Sequence, residues 1–223
     1  MERRFDQELA TLKDGLVLMG ARAEAIIHKA MEAVQRRDEH LAEEAIADDR
    51  AVDRLEIDVE ESCVNLFALR QPMAADLRFL AASLKLSNEL ERAGDHGVNI
   101  AGNAVRLSRL PRLPLPPEIA ALAVMATDML RDALSAFMRR DAASARALVP
   151  RDERVDELNR RIFKDLVARM RSDPGNLSCY LEWIMIARNL ERVADLATNI
   201  AEEGVFVSEA QVIKHDGRMG RRD

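Results

Sequence analysis

Four pairs of acidic residues in this sequence have a spacing that places both side chains on one face of a helix. The pairs are Asp49 with Asp53, Glu91 with Asp95, Asp152 with Asp156, and Glu191 with Asp195. Carboxylate oxygens are hard ligands, so converging pairs suit Mg, Mn, Ca or iron ions. Without a cation, converging carboxylates repel one another and cannot all stay ionised. The pairs are therefore candidate metal ligands.

Apolar residues continue the same helical faces, which distinguishes these pairs from an ordinary solvated acidic face. The stripe that holds Glu91 and Asp95 begins with Leu77, Leu80 and Leu84. The stripe that holds Asp152 and Asp156 continues past Asn159 into Phe163, Leu166 and Met170. We therefore expect the acids to lie on core-facing seams. Secondary candidate ligands on these faces are Glu56, Asn99 and Asn199.

Proline and glycine breaks divide the sequence into six helices. The longest break, residues 109–117, contains four prolines and separates the chain into two halves. Asp38 and Asp141 follow shorter breaks and are expected to act as N-caps. The predicted helices span residues 5–36, 39–69, 74–107, 117–139, 142–171 and 177–206.

The two halves resemble each other, which indicates an internal duplication of three helices. Residues 90–101 and 190–201 are identical at seven of twelve positions when aligned at an offset of 100. Earlier positions match at an offset of 103. The sequence therefore predicts an all-α fold of two tandem antiparallel three-helix bundles. We expect the first repeat in residues 1–110, the second in 115–207 and a C-terminal tail in 208–223.

If the two acid-bearing helices of each half fold as an antiparallel hairpin, their acids lie at the same level along the helix axes. Asp53 lies 18 residues before the break at Gln71, and Glu91 lies 20 residues after it. At ~1.5 Å per residue in a helix, the paired acids of neighbouring helices are level. Four carboxylates are therefore expected to converge in each repeat.

Composition and motifs exclude several function classes. The net charge of −6 and the lack of a basic patch with aromatic residues argue against nucleic-acid binding. No apolar run reaches the ~20 residues of a membrane span, and the N-terminus lacks a signal-peptide pattern, so a cytoplasmic protein is expected. We expect Cys63, Cys179, Tyr180 and Trp183 to be buried core residues.

Two other interpretations of the acids remain open. Exposed acids could form salt bridges with neighbouring arginines, among them Arg92 and Arg192, in a metal-free scaffold. A carboxylate-bridged metalloenzyme is the second alternative, although the sequence has no Glu-x-x-His pair of the ferritin-like type. His96 adjoins Asp95 but has no counterpart in the second half, and we leave it outside the ligand set.

The repeated pattern Leu-Glu-Arg-x-x-Asp-x-x-x-Asn-Ile-Ala resembles the PhoU family of phosphate-uptake regulators. So do residues 72–78, Pro-Met-Ala-Ala-Asp-Leu-Arg, and the ending Asn-Ile-Ala-Glu-Glu at 199–203. The resemblance covers the chain to about His215 and implies tandem three-helix bundles. It also implies multinuclear iron or zinc clusters on acidic motifs that match the four pairs above.

The resemblance further implies a non-enzymatic, cytoplasmic negative regulator of phosphate-starvation signalling. The implied partners are the ATPase subunit of the phosphate ABC transporter (PstB) and the sensor histidine kinase PhoR, with peripheral association with the membrane transporter. Homodimers are common in the family. One departure is that residues 72–78 have no close copy in the second half, which implies that the repeats bind metals or partners unequally.

Overall fold

A computed structural model describes residues 2–213 of the chain, and these residues form six α-helices. This confirms the predicted all-α fold. The helices are α1 (Glu2–Arg36), α2 (Glu39–Arg70), α3 (Ala74–Ser108), α4 (Pro117–Arg139), α5 (Ala142–Ser172) and α6 (Leu177–Glu209). A short 3₁₀ turn, Pro174–Asn176, joins the last two.

Helix ends follow from local chemistry. The side chains of Asp38 and Asp141 accept hydrogen bonds from the backbone N–H groups of Leu41 and Ser144, which confirms both predicted N-caps. Proline at the first position starts α4, where no backbone N–H is needed. Helix α6 continues to Glu209, so residues 208 and 209 of the predicted tail are helical. Residues 214–223 of that tail lie outside the described range.

Helices α1 to α3 form one antiparallel bundle, and α4 to α6 form the second. Each bundle buries a core of leucine, isoleucine and alanine side chains. The predicted burial of Cys63, Cys179, Tyr180 and Trp183 is confirmed. Burial raises the pKa of the Cys63 thiol to about 12, so this cysteine is a packing residue.

The two bundles pack side by side through α3 against α6 and α1 against α4. Polar contacts join α3 to α6, among them the Lys85 Nζ to Glu203 Oε1 ion pair at 3.0 Å. Asn103 Nδ2 donates to Glu182 Oε2 at 2.6 Å on the same interface. Among the described helices, α2 and α5 contact only their own repeat. The α2–α3 and α5–α6 seams, which carry the acidic pairs, therefore lie on the flanks of the molecule.

Candidate carboxylate metal centre

Helices α2 and α3 bring five acids to one seam, which we call the N-terminal acidic groove. Its members are Asp49, Asp53, Glu56, Glu91 and Asp95. Asp49 is half-buried, and its Oδ1 atom is shielded from solvent and makes no hydrogen bond. Gly94 of α3 lies opposite, where an added Cβ would come within 3.2 Å of that oxygen. Glycine therefore makes room for the Asp49 carboxylate beside α3.

The carboxyl groups in this groove disfavour one another's ionisation. Burial, followed by the charges of Asp53 and Asp95, raises the pKa of Asp49 from 3.8 to about 6. Burial, followed by the charges of Asp95 and the α2 acids, raises the pKa of Glu91 from 4.5 to about 7. The acids of the first repeat are therefore close enough for their charges to affect one another.

Glu56 extends the groove toward the hairpin turn. Burial, followed by the charge of Glu60, raises the pKa of Glu56, while a hydrogen bond with Asn88 opposes that rise. The structure thus places this secondary candidate with the four main acids. Sequence reasoning missed Asn88, although it lies three residues before Glu91 on α3.

The matching acids of the second repeat meet on the α5–α6 seam. Burial, followed by the charges of Asp195 and Asp156, raises the pKa of Glu191. The guanidinium groups of Arg192 and Arg188 oppose that rise. Asp152 lies one turn before Asp156 on α5 and is half-buried. The sequence anticipated partial neutralisation by Arg192 but missed Arg188, which stands where the first repeat has Asn88.

The acids lie at the rims of their seams. Asp53 and Asp95 are exposed, so the expectation that they face the core is wrong for these two residues. The stripes also open toward the hairpin turns, where Leu77 is 45% exposed and Phe163 is 52% exposed. A three-helix bundle covers only one side of each two-helix seam, which explains this exposure.

The donor atoms of the acidic groove suit a cation, but the side chains are not positioned to coordinate one. The donors are oxygen atoms, and Asp49 presents a buried oxygen without a hydrogen-bond donor. In residues 2–213, no group of three or more Asp, Glu, His or Cys side chains is placed so that it could hold a metal ion. Ligation therefore requires side-chain rotation, which the exposed Asp53 and Asp95 are free to make.

Three other polar residues near the acids have separate environments. Asn99 is exposed, and the Asn199 amide donates to Glu89 Oε1 at 3.4 Å, across the interface between repeats. His96 Nδ1 lies 3.0 Å from Asn189 Oδ1 on that interface. Burial lowers the pKa of His96, which favours a neutral ring with a structural contact.

Comparison with known proteins identifies the family. The sequence model of the PhoU domain matches residues 16–104 and again residues 119–204. The chain belongs to the PhoU family. A phosphate-specific transport system accessory protein PhoU homologue from Caulobacter vibrioides is 38% identical over 90% of this chain and 87% of its own length. The Aquifex aeolicus homologue is 34% identical over 94% of this chain and 95% of its own length.

Solved PhoU structures have the same fold. PhoU from Pseudomonas aeruginosa superposes with a TM-score of 0.87 and 32% identity, over 93% of this chain and all of the other. The phosphate transport system regulatory protein PhoU from Streptococcus pneumoniae gives 0.86 and 28%, over 94% of this chain and 99% of the other. PhoU proteins are non-catalytic accessory proteins, which confirms the prediction that the chain is not an enzyme and excludes the metalloenzyme alternative.

No helix within residues 2–213 is long and apolar enough to cross a membrane.

Proposed function

We propose that the chain is a regulator of phosphate uptake that works with a phosphate-specific transport system and represses phosphate-starvation signalling. The observation that carries this proposal is the match to curated transport accessory proteins along about nine-tenths of the chain. Its partners would be the transporter ATPase (PstB) and the sensor histidine kinase (PhoR), on the cytoplasmic side of the membrane. A homodimer is the proposed assembly.

Binding of the full-length chain to each partner tests the adaptor role. Purified transporter ATPase and the cytoplasmic part of the kinase are each immobilised, and the chain is passed over them at equal concentration. The proposal expects saturable binding to both proteins. A deletion strain is expected to express phosphate-starvation genes even in abundant phosphate. If neither partner binds and phosphate control survives the deletion, this function is wrong.

The same proposal includes multivalent cations in the carboxylate seams, with iron or zinc expected and Mg, Mn or Ca as other candidates. Support comes from the raised pKa values of Asp49 and Glu91, which burial and then the charges of neighbouring acids produce, because a bound cation would compensate the charge of these carboxylates. The eight residues concerned are Asp49, Asp53, Glu91, Asp95, Asp152, Asp156, Glu191 and Asp195. Their role would be to stabilise the seams and to shape the docking surface.

Elemental analysis separates the metal-bound regulator from a metal-free scaffold. Protein is purified without chelator, dialysed against metal-free buffer and analysed by plasma mass spectrometry. At least one multivalent ion per chain is expected to remain. A protein that retains no metal and shows no rise in melting temperature with iron, zinc or manganese is a metal-free scaffold.

A further inference from the structure

The second repeat contains a cleft between α5 and α6 with a volume of about 470 Å³. This is within the range of small-molecule sites, ~300–1,000 Å³. The side chains relevant to ligand binding are Arg160, Phe163, Lys164, Arg188, Glu191 and Arg192. The cleft thus combines four cations and an aromatic ring with two carboxylates of the candidate metal seam, Glu191 and Asp195, which also line it.

Three of these four cations are particular to the second repeat. At an offset of 103, Arg160 and Lys164 replace Ile57 and Glu61 of the first repeat, and Phe163 replaces Glu60. At an offset of 100, Arg188 replaces Asn88, whereas Arg192 matches Arg92. The same surface of the duplicated scaffold has therefore changed from acidic to basic, with an aromatic residue added.

Three of the four cations are carried at a different height of the cleft from Glu191. Arg160 on α5 and Arg188 on α6 are equally distant in sequence from the turn at Pro174, so they lie at about the same height, and both line the cleft. Lys164 is one turn nearer that end, next to the half-exposed Phe163. Glu191 lies on the far side of Arg188 from the turn. Three cations and the phenyl ring therefore attach to their helices on the turn side of Glu191. The Arg160 side chain reaches back by one helical turn, where its Nε donates to the backbone oxygen of Asp156 at 3.2 Å.

We propose that the turn side of the cleft binds a small molecule with a chain of two or more phosphoryl groups. Arginine guanidinium groups bind phosphate oxygens in pairs, and Lys164 adds a flexible point charge. Cations on two opposing helices match an extended polyanion better than one tetrahedral ion. The exposed face of Phe163 offers a stacking surface for the base of a nucleotide.

Calorimetric titration of the full-length, metal-free protein tests this site with three probes: inorganic phosphate, pyrophosphate and ATP. One pyrophosphate or ATP is expected to bind per chain, and inorganic phosphate at least about tenfold more weakly than pyrophosphate. ATP is expected to bind more tightly than pyrophosphate. No saturable binding of pyrophosphate or ATP, or equal affinity for phosphate and pyrophosphate, would overturn the proposal.

The double variant Arg160→Ala/Lys164→Ala is expected to weaken pyrophosphate and ATP binding at least about tenfold. The matched control is Arg161→Ala/Arg171→Ala, which removes two exposed cations of α5 outside the cleft lining. Equal losses in both double variants indicate non-specific charge attraction and reject the site.

The variant Phe163→Ala tests whether the aromatic ring contributes to the binding of a nucleotide but not of pyrophosphate. We expect it to weaken ATP about tenfold, the size of a lost stacking contact, and to leave pyrophosphate unchanged. Unchanged ATP affinity would reject the role of the ring. The substituted side chains are all exposed, so melting curves should match the parent protein and exclude misfolding as the cause.

Discussion

The two repeats have the same three-helix fold, but their acidic seams differ in charge. In the first, Glu91 faces the α2 acids, with the amide of Asn88 as its neighbour three residues earlier, and its pKa rises to about 7. In the second, Arg188 stands at the corresponding position, and Arg188 and Arg192 oppose the rise in the pKa of Glu191. Duplication preserved the helical scaffold, while a few substitutions at the rim changed the charge of each seam.

Removing acids from the two seams should produce the largest difference. The variant Asp49→Asn/Glu91→Gln is expected to weaken metal retention at least about a hundredfold, because two of its candidate ligands lose their charge. The matched variant Asp152→Asn/Glu191→Gln is expected to have a smaller effect, since arginines already neutralise part of that seam. Metal-binding titrations of both variants measure the difference. Equal losses would mean that the charge asymmetry does not control metal binding.

The residue on α3 that contacts α1 also differs from its counterpart in the second repeat. An added Cβ at Gly97 would approach Ile26 Cγ2 to 2.8 Å and the Ile27 backbone nitrogen to 3.2 Å, whereas the matching residue on α6 is Ala197. The variant Gly97→Val should therefore lower the free energy of unfolding by about 1–3 kcal/mol through overpacking between α1 and α3.

The reverse change, Ala197→Gly, should cost only about 1 kcal/mol through the lower helix propensity of glycine. Urea unfolding of both variants measures these differences. A Gly97→Val protein as stable as the parent would show that α1 and α3 can separate at no cost.

The pH dependence of the metal-free protein should reveal the acidic groove. The pKa values of Asp49 and Glu91 rise from 3.8 and 4.5 to about 6 and about 7 on folding. Between about pH 4 and 7 the folded chain therefore binds more protons than the unfolded chain. The contribution of these two carboxyl groups to the free energy of unfolding falls as the pH rises through that range.

The variant Glu91→Gln should remove part of this decline and raise the melting temperature at pH 8. Glu191→Gln should raise the melting temperature less, because Arg192 and Arg188 oppose the rise that burial and neighbouring acids cause in the pKa of Glu191. Thermal melts at pH 4.5 and 8 in the presence of a chelator provide the comparison. A pH profile unchanged by Glu91→Gln would contradict the raised pKa.

Exchanging Asn88 and the matching Arg188 should give the smallest and most specific effect. The variant Asn88→Arg is expected to lower the pKa of Glu91 and to weaken cation binding in the first repeat. Arg188→Asn is expected to raise the pKa of Glu191. NMR titration of the glutamate side-chain carboxyl carbons detects both shifts. Shifts in the same direction would show that these positions do not control the asymmetry.

Sequence patterns predicted much of this molecule because the relevant physics is local. The prolines of the linker and the caps at Asp38 and Asp141 determine where helices begin and end. The four-residue spacing of Glu91 and Asp95 places both on one helix face before any tertiary contact is known. The internal duplication then predicts two bundles, with an acidic seam at the same position in each.

Tertiary structure decided the features that depend on neighbouring helices. Packing of α3 against α6 places His96 beside Asn189 and Asn199 beside Glu89, contacts between residues about a hundred positions apart. Coverage by a single third helix leaves Asp53 and Asp95 exposed while Asp49 is partly buried against Gly94. Helical periodicity determines the direction of a side chain around its own axis, whereas burial and pKa depend on what the other helices bring to it.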